Sequence, residues 1–256
     1  MSTSIVDDEA LVATLLSSRR FLVTGGARGI GAAIVANLAA HGGSGAVIDL
    51  HPEPSPWPVV SADVSNEAEM LAATSALIAE HGPFDGLVAA AGIVPAWHSP
   101  ADVDLDAYDR TMSVNVRGFV VALKCLSATM PAGSTVVAIG SLNSWRGDPH
   151  LLTYAASKHA VLGVVRSAAM ALGPQGIRVN AVAPGPIATA ALLGRIDARS
   201  AATGSARDEA LQASADLTAL GRLATETDVA NAVLYLSSSL SAATTGHLLP
   251  VDSGLL

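Results

Sequence analysis

The chain has 256 residues, of which 50% are hydrophobic and 14% charged, with a mean hydropathy of +0.45 and a formal net charge of −8. That composition excludes disorder over most of the length, and 14 Lys and Arg against 22 Asp and Glu exclude a basic nucleic-acid groove. The single cysteine, Cys125, permits neither an internal disulfide nor a thiolate metal cluster.

Residues 1–18 read as an extension before the first strand that holds one surface helix; the start, Met1 to Glu9, is acidic where a secretory signal is basic. Arg20 to Thr24 is a short apolar run that stops at Gly25-Gly26. Ile30 to Ala40 has the helical spacing of Ile34, Val35 and Leu38 and ends at Gly42-Gly43. Ala46 to Leu50 predicts a second strand, Val59-Val60 a third, and Asn66 to Glu80 a helix stopped by Gly82-Pro83. A fourth strand over Gly86 to Ala90 precedes a long helix, kinked or in two parts, from Asp104 to Thr129. Thr135 to Ile139, Thr153 to Leu172 and Arg178 to Val182 follow as strand, helix and strand. Ala188 to Leu220 is alanine-rich and too long for a plain connection, so it predicts a lid with some helix. Thr225 to Leu236 is the last helix and His247 to Val251 the last strand. No run of about eighteen apolar residues predicts a membrane span.

Short, continuously apolar strands separated by helices predict a parallel sheet of about seven strands covered on both faces. This is the doubly wound, Rossmann-type α/β architecture, read as one domain over 19–256 that binds ligands at the carboxyl ends of its strands. Thr24 to Gly31 lies where the first strand meets the first helix. Gly25, Gly29 and Gly31, with Arg28 and Ile30 between them, would let the backbone approach a pyrophosphate at the helix N-terminus. The spacing is Gly-x-x-x-Gly-x-Gly, and a glycine turn by itself also serves any tight strand–helix junction. Asp49 ends the second strand; a carboxylate there accepts the hydroxyls of an adenosine ribose and repels a 2′-phosphate, or else shapes the turn. Arg28 would favour the phosphate, but a buried carboxylate costs it more than a solvated guanidinium returns, so NAD is expected over NADP. Asp63, before Val64, either accepts from an adenine amino group or caps the helix near Asn66.

Only two lysines occur, and Lys158 follows Tyr154 by four residues, placing both on one helix face. A phenol with a pKa near 10 becomes a base at neutral pH only beside a cation. Ser141 ends the fifth strand and would point into the same crevice. Asn115, on the long helix, can bond backbone or ordered water.

With these residues in order, the chain resembles the short-chain dehydrogenase/reductase family, in its branch of soluble enzymes of roughly 250 residues. The resemblance runs from Arg20 to Leu256 through Thr24 to Gly31, Asp63-Val64, Asn115, Ser141, Tyr154 to Lys158, Asn180 to Gly185 and Thr245 to Gly254. It implies Tyr154 as general acid/base and Lys158 as the group that lowers its pKa and binds the nicotinamide ribose. Ser141 would polarise the carbonyl and Asn115 would hold a water in the proton relay. Pro184, Gly185, Ile187 and Thr189 match the segment that fixes the nicotinamide. Ala89-Ala90-Ala91-Gly92 stands where the family usually has Asn-Asn-Ala-Gly; Ala91 and Gly92 keep the cofactor-facing positions, and the lost amides predict weaker binding or stability. Ser253 stands where Gly is common.

Trp97, Trp145, His150 and Leu151 follow the fourth and fifth strands, where they line a mouth for an apolar or ring-bearing substrate or else cover the sheet's edge. The histidines lack metal-ligand spacing, so no metal is expected. The leading reading is a cytoplasmic NAD-dependent oxidoreductase interconverting a secondary alcohol and a ketone. The alternatives are an NADPH-dependent 3-oxoacyl-carrier-protein-type reductase and a non-catalytic NAD(H)-binding regulator. The long helix and the helix after Tyr154 are apolar around more than one face, which predicts a homotetramer, with a dimer as fallback.

Overall fold

Residues of the first strand that point in opposite directions are buried alike: Phe21 and Val23 pack in one apolar cluster and Leu22 in another, all fully shielded from solvent. A strand without a solvent face belongs in the middle of a sheet covered on both sides. The computed structural model describes residues 14–189, 192–194, 196–197 and 207–255, and its strands are β1 (Arg20–Thr24), β2 (Ser44–Asp49), β3 (Val59–Ser61), β4 (Gly86–Ala89), β5 (Thr135–Ile139), β6 (Arg178–Pro184) and β7 (Leu248–Val251). All pair in parallel in the order β3-β2-β1-β4-β5-β6-β7. The order reverses between β1 and β4, which opens a crevice at the carboxyl edge.

The helices are α1 (Gly29–Ala40), α2 (Glu67–His81), α3 (Leu105–Met112), α4 (Gly118–Leu126), α5 (Leu152–Leu172), α6 (Arg207–Asp216) and α7 (Glu226–Ser237). On one face Ile34, Val35 and Leu38 of α1 and Val229, Val233 and Leu236 of α7 pack on Val47, Val88 and Val137. On the other, Met70 and Leu77 of α2, Phe119 and Leu126 of α4, and Val161 and Val165 of α5 cover Ile48, Leu87 and Val136.

The predicted long helix is two α-helical pieces, α3 and α4, joined by one π turn over Ser113–Arg117. A π turn inserts one extra residue into the helical repeat and so rotates the side chains that follow. Strand β6 runs to Pro184, beyond the predicted Val182, because β7 continues to pair alongside it through Pro184 and Val251. Of the predicted N-terminal extension, residues 1–13 lie outside the described residues. Leu16, however, is fully buried in the α1–α7 cluster, and its N–H donates to His41 O at 2.9 Å, so the end of that segment belongs to the core. Within the predicted lid, residues 192–194, 196–197 and α6 are helical; residues 190–191, 195 and 198–206 lie outside the described residues. Among the described residues no helix is long and apolar enough to cross a membrane.

Candidate active site

The glycine turn is built by close approach. Gly25 has φ +68°, and a β-carbon on it would come within 2.5 Å of Ala91 Cα, so only glycine permits the turn to rest on the chain leaving β4. A β-carbon on Gly31 would lie 1.9 Å from Gly25 O, which sets the first helical turn directly on that carbonyl. Arg28, exposed and extended, is the N-cap of α1 and supplies no side-chain hydrogen bond; no acidic residue occupies the first turn. The leading N–H groups of α1 are thus left uncapped beside the switch point. This arrangement fits a diphosphate and, with it, a nicotinamide dinucleotide.

Asp49, 7% exposed, accepts Ala27 N–H on Oδ2 and His51 N–H on Oδ1, each at 3.1 Å. The carboxylate therefore fastens the glycine turn to the end of β2, and each oxygen retains capacity for a further donor. Asp63 does not cap a helix. That cap is Asn66, whose Oδ1 accepts Ala68 and Glu69 N–H, while Asp63 Oδ1 accepts the N–H and hydroxyl of Ser65. The helix starts one turn too late for the Asp63 carboxylate to reach its leading amides. Val64 is buried beneath Gly118 at the start of α4.

The π turn aims Asn115 inward, where it is 3% exposed. Its Oδ1 accepts Ile93 N–H at 2.8 Å, and its Nδ2 donates to Ile93 O and to Ser157 Oγ, both at 3.0 Å. The Ser157 hydroxyl donates in turn to Tyr154 O at 2.8 Å. One amide thus ties the loop after β4 to the helix that carries Tyr154. Sequence reading missed Ser157, although a serine between Tyr and Lys on a buried helix face needs a partner.

Lys124 lies on the surface, paired with Glu67 at 2.6 Å. Lys158 lies inside. It is 5% exposed, its Nζ donates to Ile139 O at 2.7 Å and sits 5.5 Å from the centroid of the Tyr154 ring, and burial lowers its pKa to about 8. Gly92 lies against both Lys158 Nζ and Asn115 Oδ1. Ser141 is the N-cap of a short turn over Leu142–Ser144: its Oγ accepts Asn143 N–H at 3.2 Å and its N–H donates to Ser144 Oγ at 3.2 Å. With one acceptor position so used, the Ser141 hydroxyl proton remains to be donated. Asn143 Nδ2 and Thr153 Oγ1, next to these residues in the chain, are buried without a hydrogen-bond partner among the described residues. Tyr154 itself is half-buried.

At the end of β6, Gly185 N–H donates to Val251 O at 3.0 Å. Ile187 is buried in the α7 cluster and bridges to Ala224, so only its main chain can face a ligand. Thr189 Oγ1 accepts Leu192 N–H. The loops after β4 and β5 are joined by His98 N–H to His150 O at 3.2 Å. In them Trp145, 43% exposed, and the exposed His150 accompany half-buried Trp97 and Leu151. Of the lid arginines, Arg207 makes a two-pronged pair with Asp197; Arg195 and Arg199 lie outside the described residues. Among the described residues no group of His, Cys, Asp and Glu could hold a metal ion.

Residues 25–256 match the family model described as enoyl-(acyl carrier protein) reductase. The chain is 35% identical over 253 residues to short-chain dehydrogenase reductase 4 of Arabidopsis thaliana, covering 94% of this chain and 83% of that one. It is 34% identical to the (−)-isopiperitenol/(−)-carveol dehydrogenase of Mentha piperita, over 94% of each. Among solved structures, the aldohexose dehydrogenase of Thermoplasma acidophilum superposes with a TM-score of 0.88 at 27% identity, covering 94% of this chain and 95% of that one.

The buried lysine gives a stability test. A lysine whose folded pKa of about 8 lies below the ordinary 10.5 weakens the fold in full below pH 8, and the penalty fades between pH 8 and 10.5. Lys158→Met, which keeps the stem but removes the charge, is therefore expected to raise unfolding stability at pH 7 by on the order of 1–3 kcal/mol, less the hydrogen bond to Ile139. The advantage should shrink towards pH 10.5. Urea unfolding of both proteins across that range measures it, and a variant less stable at pH 7 would contradict it.

Proposed function

Because this chain belongs to the short-chain dehydrogenase/reductase family, whose members are oxidoreductases using a nicotinamide cofactor, we propose that it interconverts a secondary alcohol and a ketone with NAD. The observation that carries the reading is a buried lysine one helical turn from a half-buried tyrosine, its ammonium bound to the last carbonyl of β5, two residues before a serine with a proton to donate. The Gly25–Gly31 turn, Asp49, Asp63-Val64, Ala91-Gly92 and Pro184 to Thr189 would hold the cofactor, whose nicotinamide would supply the hydride acceptor. Tyr154 takes the alcohol's hydroxyl proton as the hydride leaves the carbinol carbon, and returns a proton to the carbonyl oxygen in the reverse direction. Lys158, cationic below about pH 8, favours the Tyr154 phenolate. Ser141 donates to the reacting oxygen. Asn115, bound to Ile93 and Ser157, holds the loop and helix in register, and the second acceptor position of its Oδ1 would serve a relay water.

Asp49 supports NAD: a 2′-phosphate would face a buried carboxylate, with only the solvated Arg28 to offset it. The matched model's name favours a second reading, an NADPH-dependent reductase of acyl-carrier-protein substrates, and Asp49 opposes it. A non-catalytic regulator would not require Ser141, Tyr154 and Lys158 together. Trp145, exposed in the loop after β5, and the carveol-type substrate named for the Mentha relative support a ring-bearing apolar alcohol. The single half-buried cysteine supports a reducing, cytoplasmic setting. A homotetramer, or failing that a dimer, is supported by an apolar groove between α4 and α5 lined by Val120, Leu123, Val164 and Ala168, and by exposed Met170 beside it. Tyr235 and Leu240, exposed at and beyond the end of α7, support a second contact.

Tyr154→Phe is expected to lower turnover at least about a hundredfold on a panel of cyclic secondary alcohols while NAD binding changes little. Near-normal turnover would remove the assignment. NAD should be preferred over NADP by more than about tenfold, or ~1.4 kcal/mol, and Asp49→Ser should narrow the gap; equal use by the parent would show that Arg28 outweighs Asp49. Light scattering at micromolar concentration should give a multiple of 25.7 kDa, and the mass of one chain would refute the assembly.

A further inference from the structure

Two helices with different N-termini meet at the glycine turn. α1 and α7 pack side by side in one cluster, and Asn37 Nδ2 donates to Asn231 Oδ1 at 2.9 Å between them. The first turn of α1 has no acidic residue and no side-chain cap. The first turn of α7 has Glu226 and Asp228, and its capping box is closed by Thr225 and Asp228. The Asp228 carboxylate is committed to Thr225 and, at 2.8 Å, to Arg222. Glu226 has no hydrogen bond or ion pair among the described residues. Its Oε1 lies 3.8 Å from where a β-carbon on Gly29 would stand, and Gly29 is the first residue of α1. An uncommitted carboxylate thus lies beside Gly29, the first residue of the neighbouring helix. With Asp49 bound to Ala27 N–H, the turn has two carboxylates near it against the guanidinium of Arg28 within it.

We propose that Glu226 sets the affinity for the cofactor: it is a negative charge placed at the phosphate turn that weakens the binding of a diphosphate and speeds its release. The inference rests on the dinucleotide reading above. Without ligand, the carboxylate benefits from the positive ends of α1 and α7. A diphosphate on the N–H groups of α1 brings like charge to the same place, and the repulsion acts through a partly solvated crevice. Glu226 would therefore act on affinity and release.

Glu226→Gln separates this role from a structural one by sign. Loss of a helix N-terminal charge lowers thermal stability slightly, and a merely structural residue would lower ligand affinity with it. Loss of a repelling charge raises affinity. Calorimetric titration of the full chain with ADP-ribose, which carries the diphosphate without the nicotinamide, should show Glu226→Gln binding roughly three- to tenfold more tightly than the parent, the size expected for one charge removed at an intermediate effective dielectric. The gain should shrink at about 1 M salt and be absent for adenosine, which has no phosphate. Glu226→Asp, which keeps the charge, should show less of it. Unchanged or weaker binding of ADP-ribose, or an equal gain for adenosine, overturns the proposal. A parent protein that binds neither ADP-ribose nor NAD would instead remove the cofactor reading, and this inference with it.

Discussion

A cation held out of water organises this site. The Lys158 ammonium is buried, its proton affinity is lowered by that burial, and the partner seen for it is the carbonyl of Ile139 at 2.7 Å. A buried charge is tolerated only where nearby dipoles are held rigidly, since a misplaced acceptor leaves the full desolvation cost. Ile139 is the last residue of β5, whose register against β4 and β6 fixes where its carbonyl points. The same strand delivers Ser141 two residues later. One strand end therefore places both the acceptor that holds the lysine and the hydroxyl beside it.

The lysine's position also depends on α5, and α5 is tied to the sheet by a route that begins in an irregular turn. Between α3 and α4 the π turn brings Asn115 into the interior, where its amide satisfies both main-chain groups of Ile93 and then Ser157. In a regular helix the side chains beyond Ser113 would be rotated to other faces, and the loop after β4 would have an unmet N–H and carbonyl. The usual asparagine pair of the family is alanine here, at Ala89 and Ala90. The main chain supplies the bracing: Ala90 N–H donates to Thr24 O at 3.0 Å, and Asn115 holds Ile93 beyond it. Strand, turn and helix thus meet through polar groups, each satisfied by another element.

Charge at the carboxyl edge is arranged with similar economy. Asp49 spends both oxygens on main-chain N–H groups and so shapes the glycine turn before any ligand arrives. Asp228 closes the cap of α7 and holds Arg222. The Asp49 bond to Ala27 braces the turn, and bracing matters because uncapped N–H groups bind an anion strongly only when they already point together.

The sequence by itself determined the architecture. Continuous apolar runs such as Phe21 to Val23 and Val136 to Ala138 have no solvent face, and that property alone requires a parallel sheet covered on both sides. It determined as well that Tyr154 and Lys158 share a helix face, because a separation of four residues is a local matter of helical pitch. Tertiary structure decided which lysine is inside: Lys124 and Lys158 both sit on apolar helices, and only packing sends one to Glu67 at the surface and the other under β5. It decided that Asn66 caps α2 in place of Asp63, and that Ile187 faces the core. It also placed Glu226 beside Gly29, nearly two hundred residues earlier in the chain. Spacing within one element is set by backbone geometry and can be read along a line; a contact between elements depends on how those elements pack, which no local pattern encodes.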